Sequence, residues 1–215
     1  MAQRVEANLY QELDGQLHEI KRQIRQPSGY PYEPEKLKLA LQALIEGRFD
    51  GIKPLSILET VGTVLVPATT EKFIAKDNFV QNTGKKAKVK ISNIGDNFTQ
   101  WFGGKVEEPV AEYTLRYAKL LKPAVDAPIR AEIGAEYEET TLGAVYSLMK
   151  LQPNGEAGIL LANGYANIFY VRDVEDTLRT VGVSWCDVGW FVFADSVTRP
   201  GGWDGGDRVF SRNSS

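Results

Sequence analysis

Residues 190–194, Trp-Phe-Val-Phe-Ala, put large apolar side chains on both faces of any strand they form. Successive side chains of a strand point to opposite faces, so Trp190, Val192 and Ala194 line one face while Phe191 and Phe193 line the other. A sheet holding such a strand cannot leave either face to water, and each must be covered by helices of the same chain or by a partner. The chain's own helices are the simpler expectation. Residues 159–161, 166–172, 178–185, 190–196 and 208–211 are all strand-like runs. Asn163-Gly164, residues 173–177, Asp187-Val188-Gly189 and the glycine-rich residues 199–207 separate them. That spacing predicts an antiparallel meander, the last glycines serving a hairpin turn that needs positive φ.

Upstream, a helical period takes over. Tyr10, Leu13, Leu17, Ile20 and Ile24 recur at spacings of three and four, which predicts a helix over about residues 4–26 with an a/d seam. Two heptads are too few for a free-standing coiled coil, so the seam docks either on its own domain or on another chain. The proline-rich residues 27–34 end this helix, and Pro34 suits the first turn of a second one carrying Leu37, Leu41, Leu44 and Ile45. Residues 60–66 read as a strand stopped by Pro67, and residues 71–80 as a weak strand or turn. Residues 86–92 alternate most clearly, with Ala87, Val89 and Ile91 on one side and Lys86, Lys88 and Lys90 on the other, and are expected as a strand. A short helix over residues 96–102, a strand over 113–121, a helix starting at Asp126 and a helix over 141–151 complete the pattern.

The expected fold class is therefore α+β. N-terminal helices come first, then a mixed region, then a C-terminal antiparallel β-meander packed by helices. A helical element spans residues 1–50 and an α+β domain residues 51–215. A single cysteine, Cys186, excludes an intramolecular disulfide and a four-cysteine zinc site. No apolar run approaches the ~18 residues of a membrane span, and the first residues lack a signal-peptide core. A soluble, cytoplasmic protein without membrane contact is the expectation. The net charge of −3 disfavours a chain that coats nucleic acid over its whole surface. Charge is nevertheless polarised: residues 71–105 hold seven lysines against three acids, and residues 106–143 eight acids against four bases.

The segments KDNFV at 76–80, KKAKVKISNIGDNFTQWF at 85–102, NGYANIFYVRD at 163–173 and RVFSRN at 208–213 resemble a group of uncharacterised bacterial hypothetical proteins, some from candidate-phylum genomes. The resemblance covers most of the chain after about residue 50. It implies a bacterial or mobile-element protein with one fold from about residue 55 onward. The group carries no activity, so no site residue comes from it.

Catalytic chemistry finds little footing. His18, the only histidine, lies on the seam helix, and Cys186 at a strand end reads as a small half-buried hydrophobe without a basic neighbour. PGGWDGGDR at 200–208 lacks the lysine and hydroxyl of a phosphate loop, and Asp195, Asp204 and Asp207 do not have the spacing of a calcium loop. Glu107, Glu108, Glu132, Glu136, Glu138 and Glu139 supply carboxylates enough for acid/base hydrolysis, although acids near a helix start also suit the helix dipole. No catalytic residue, metal ligand or cofactor is assigned.

Two surfaces remain as candidates. Lys85, Lys86, Lys88 and Lys90 could lie along a phosphate backbone with Trp101 stacking beside them, or could simply keep a strand edge soluble. Tyr10, Leu13, Leu17, Ile20 and Ile24 could bind a protein partner or a second copy. A non-catalytic binding or accessory protein working through protein–protein contacts is the leading expectation. A nucleic-acid binder using the lysine-faced strand and a carboxylate-dependent hydrolase are the alternatives.

Overall fold

The computed structural model describes residues 7–25, 33–46, 56–199 and 201–213. The chain divides into two units, Met1–Leu55 and Ser56–Ser215. The first holds α1 (Ala7–Ile24) and α2 (Pro34–Ile45), with Pro34 in the first turn of α2 and Glu35 beside it at the positive end of the helix dipole. No residue of α2 is buried.

The second unit runs β1 (Leu58–Val66), β2 (Phe73–Ile74), α3 (Ala75–Asn78), β3 (Ile91–Ile94), α4 (Asp96–Phe102), β4 (Val106–Glu107) and β5 (Tyr113–Leu120). It continues through α5 (Asp126–Ile133), α6 (Ala135–Glu138), α7 (Leu142–Leu151), β6 (Asn167–Arg172), β7 (Leu178–Cys186), β8 (Gly189–Ser196) and β9 (Arg208–Arg212). Seven strands form one mixed sheet in the order β1-β5-β9-β6-β7-β8-β3, and β2 pairs with β4 beside it. The fold is α+β.

Only β6, β7 and β8 form the expected meander. β9 leaves it and inserts between β5 and β6, antiparallel to the first and parallel to the second. Since β6 and β8 both run antiparallel to β7, β9 also runs parallel to β8, and parallel strands need a crossover rather than a tight hairpin. The glycine-rich segment is that crossover and not the expected hairpin turn. Residues 159–161 form no strand, and β3 adds to the far edge parallel to β8.

Strand alternation feeds two cores. Phe169 and Val171 of β6 face one side, with Val181, Val183, Trp190 and Val192, and pack on Leu142, Val145, Leu148 and Met149 of α7 and Phe98 and Phe102 of α4. Ile168 and Tyr170 face the other side, against Ile129 and Ile133 of α5 and Trp203 of the crossover. Burying a Leu, Ile or Phe side chain contributes about 1.5–3 kcal/mol, which is why apolar strand faces recruit helices on both sides.

The expected lysine strand is a correction. Residues 85–90 are turn and bend, and only residues 91–94 join the sheet. Asn82 and Ile91 exchange both backbone hydrogen bonds at 2.9 and 3.0 Å, closing a loop, and the Lys90 N–H goes to the Pro153 carbonyl at 2.9 Å. Val89 and Ile91 are buried and Ala87 half-buried, while Lys86 and Lys88 are exposed. The alternation thus describes sidedness correctly without a ladder to go with it.

Candidate functional site

On α1 the seam residues lie along one stripe, and within their own unit they stay open. Tyr10 is 65% exposed, Leu13, Leu17 and Ile24 are exposed, and Ile20 is half-buried. Ile24 also borders a shallow apolar groove of about 530 Å³ with Leu37, Leu41 and Ile45 of α2. The polar side of α1 is laced by ion pairs: the Arg22 guanidinium forks onto Glu19 at 2.6 and 2.7 Å and, with Gln23, holds that carboxyl down to about 2. His18 is exposed, its Nδ1 3.0 Å from the Asp14 carbonyl oxygen.

Lys85, Lys86 and Lys88 project from the loop, exposed and, among the described residues, without an ion pair, whereas Lys90 is half-buried. Trp101 does not stand free beside them. Its ring packs against the first core and lies under the Arg179 guanidinium, 4.0 Å from the ring centroid. Arg179 is itself held by the buried Asp173 at 2.8 Å.

The six glutamates separate onto different duties. Glu107 accepts the Leu142 and Gly143 N–H groups at 2.9 and 2.8 Å, capping α7, and burial pushes its carboxyl up in spite of those bonds. Glu108 pairs with Lys72, Glu138 with Arg130, and Glu139 with Arg172. Glu132 accepts the Ile57 and Leu58 N–H groups at 2.8 and 3.2 Å and the Ser56 hydroxyl at 2.5 Å. Glu136 points into solvent. Of the six, Glu107 and Glu132 thus hold a helix start and a strand end, Glu138 and Glu139 hold arginines, and Glu108 holds a lysine.

Cys186, expected half-buried, is exposed at the end of β7. Asp195 pairs with Arg199, and Asp207 is buried, accepting the Ala166 and Asp204 N–H groups at 2.8 and 2.9 Å. Among the described residues no three His, Cys, Asp or Glu side chains converge as metal ligands would, and no helix is long and apolar enough to cross a membrane.

Sequence reasoning missed the most connected polar group. Asp126, read only as a helix start, is buried and accepts hydrogen bonds from the Tyr170 hydroxyl at 2.9 Å and the Trp203 Nε1–H at 3.0 Å. Burial pushes its carboxyl upward and pushes the Tyr170 phenol upward as well. This carboxylate pins α5, the sheet and the crossover together. No local pattern announces it, because its partners lie 44 and 77 residues away in the chain.

Trp203, so anchored, forms one wall of a cleft of about 500 Å³ at the end of the sheet. Phe191 and Phe193 stack at 5.1 Å, and Phe193 continues to Trp203 at 6.1 Å, giving the cleft an aromatic side. Asn163, Ser184 and Asp204 supply its polar side. No protein-family model matches the chain, and no curated protein or solved structure matches it.

Proposed function

We propose that the chain is a non-catalytic accessory protein of bacterial or mobile-element type, and that it acts through protein–protein contacts of its N-terminal helices with a second copy of itself. The observation that carries this reading is the open seam on α1, together with an α2 that buries no residue. A water-facing stripe of this kind gains stability only when covered. Antiparallel pairing of two α1 helices opposes Leu13 to Ile24 and Leu17 to Ile20 of the second copy. In the same register, Asp14 flanks the seam opposite Lys21, so the charges are complementary.

Sedimentation equilibrium of the full chain tests this. Concentration-dependent dimers are expected, and Leu17→Asp with Ile20→Asp should give a monomer at every concentration. Asp14→Lys should weaken the dimer and adding Lys21→Asp should restore it. A wild-type chain that stays monomeric through the micromolar range, or a double charge swap no better than the single one, overturns the proposal. All four tryptophans lie in Ser56–Ser215, so their fluorescence reports independently that this unit remains folded.

A nucleic-acid reading retains one specific observation, the exposed Lys85, Lys86 and Lys88, which make no ion pair among the described residues. Retention on single- or double-stranded DNA at low salt, abolished by Lys86→Glu with Lys88→Glu, would favour it. Unchanged retention would end it.

A further inference from the structure

Where β5 meets β9, Lys119 and Arg208 stand directly opposite each other. Like charges facing across a strand pair destabilise it, and proteins ordinarily interleave a carboxylate. Among the described residues neither Lys119 nor Arg208 makes an ion pair. Glu59, which faces Lys119 from β1, does not reach it. Arg208 spends Nη1 on the Ile159 and Gly158 carbonyl oxygens and lies over the Tyr117 ring, 5.1 Å from the centroid. Its Nε is buried without a hydrogen-bond partner, and burial pulls its pKa below the usual arginine value. A desolvated cation without a counter-charge is a costly arrangement, and an oxyanion would relieve it.

The two cations open into a cleft of about 410 Å³, walled by Val61, Leu121, Leu161, Asn163 and Tyr165, with no carboxylate in its lining. Tyr165 also borders the aromatic cleft of Phe191, Phe193 and Trp203, so its ring is shared between the two. That ring packs closely on Gly206, whose φ of 113° suits glycine and where an added Cβ would sit 2.9 Å from the Tyr165 ring. An exposed tyrosine in the same cleft as two cations is a platform for a ring attached to an anionic group.

We infer that this cleft binds a small ring-bearing oxyanion, its phosphate or carboxylate group between Lys119 and Arg208 and its ring against Tyr165. Isothermal titration of the full chain with phenyl phosphate, benzoate and inorganic phosphate tests this. Phenyl phosphate or benzoate should bind, whichever is tighter identifying the anionic group, and inorganic phosphate should bind more weakly for lack of a ring. Lys119→Met should weaken binding about tenfold, the loss of one charge-assisted hydrogen bond. Lys119 is exposed and, among the described residues, its side chain makes no hydrogen bond or ion pair, so this variant should fold normally. Arg208→Met should weaken binding at least as much. Lys86→Met changes net charge equally at a distant loop and should leave binding unchanged. No binding by either ring compound at millimolar concentration overturns the inference. So does equal affinity for inorganic phosphate, an unaffected Lys119→Met chain, or an equal loss in Lys86→Met.

Discussion

The sheet of Ser56–Ser215 and the helices of Met1–Leu55 carry equally regular apolar patterns, yet they end in opposite conditions. In the sheet, Phe169 and Phe210 stack at 4.4 Å beneath α7, and Ile168 and Tyr170 are sealed by α5 and Trp203. The central strands β6, β7 and β8 place large side chains against helices or the crossover of the same chain, whereas Val61 and Leu65 on the outer strand β1 stay exposed. On α1 the pattern is as clean, but Tyr10, Leu13, Leu17 and Ile24 keep much of their surface open. Periodicity therefore identifies which face seeks cover and leaves the identity of the cover undetermined. The buried unit should respond to substitution through stability, and the helical unit through association.

Four substitutions test that division, the first expected to be the most damaging. Asp126→Ala strands the Tyr170 hydroxyl and the Trp203 Nε1–H in a dry core. Urea unfolding should show a loss of about 2–6 kcal/mol, roughly one to three for each of the two orphaned donors. A smaller loss would mean that the crossover is not held through this carboxylate. Gly182→Ala comes next, because an added Cβ would lie 2.3 Å from the Phe193 ring. Overpacking of this kind costs about 1–3 kcal/mol, again read from urea unfolding.

Asp126→Asn is gentler, since its carbonyl oxygen can still accept both bonds, and it isolates the charge. Burial holds the Asp126 carboxyl above its ordinary value, so the folded chain binds that proton more tightly than the unfolded chain. Its contribution to stability is complete below the ordinary aspartate pKa and is lost as pH rises through the folded value. Relative to wild type, the asparagine variant should therefore gain stability as pH rises from about 4 to about 8. A stability difference that stays constant with pH would refute the shift. Smallest of all, Leu17→Asp with Ile20→Asp should move the unfolding of the tryptophan-containing unit by no more than about 0.5 kcal/mol, as for surface sites. A larger movement in tryptophan-monitored unfolding would erase the contrast between the two units.

Much of the second unit was legible residue by residue. The strands at 113–120, 167–172, 178–186 and 189–196 and the helices beginning at Asp126 and Leu142 follow from local composition and caps. Lys86, Lys88 and Lys90 show where local reading fails. Their alternation with Ala87 and Val89 is real, but a strand also needs a neighbour with free backbone groups, and the β8 edge is already taken by residues 91–94. Trp203 shows a second failure. Its glycine-rich setting resembles a hairpin turn, and only the parallel placement of β9 turns it into a crossover carrying a core residue. The acidic residues show a third. Glu107, Glu132 and Glu138 read as one acidic group in the sequence, yet each is claimed by a different backbone end or arginine.

By itself, the sequence determined which residues seek burial, the two-sidedness of the sheet and the helical seam, because side-chain direction follows from helix and strand periods of 3.6 and 2. Tertiary structure alone decided that β9 inserts beside β6, that Asp126 meets Tyr170 and Trp203, and that Lys119 faces Arg208. Those contacts join residues far apart in the chain. Their energies come from desolvation and charge at places that exist only once the sheet is assembled, so no local window of residues contains them.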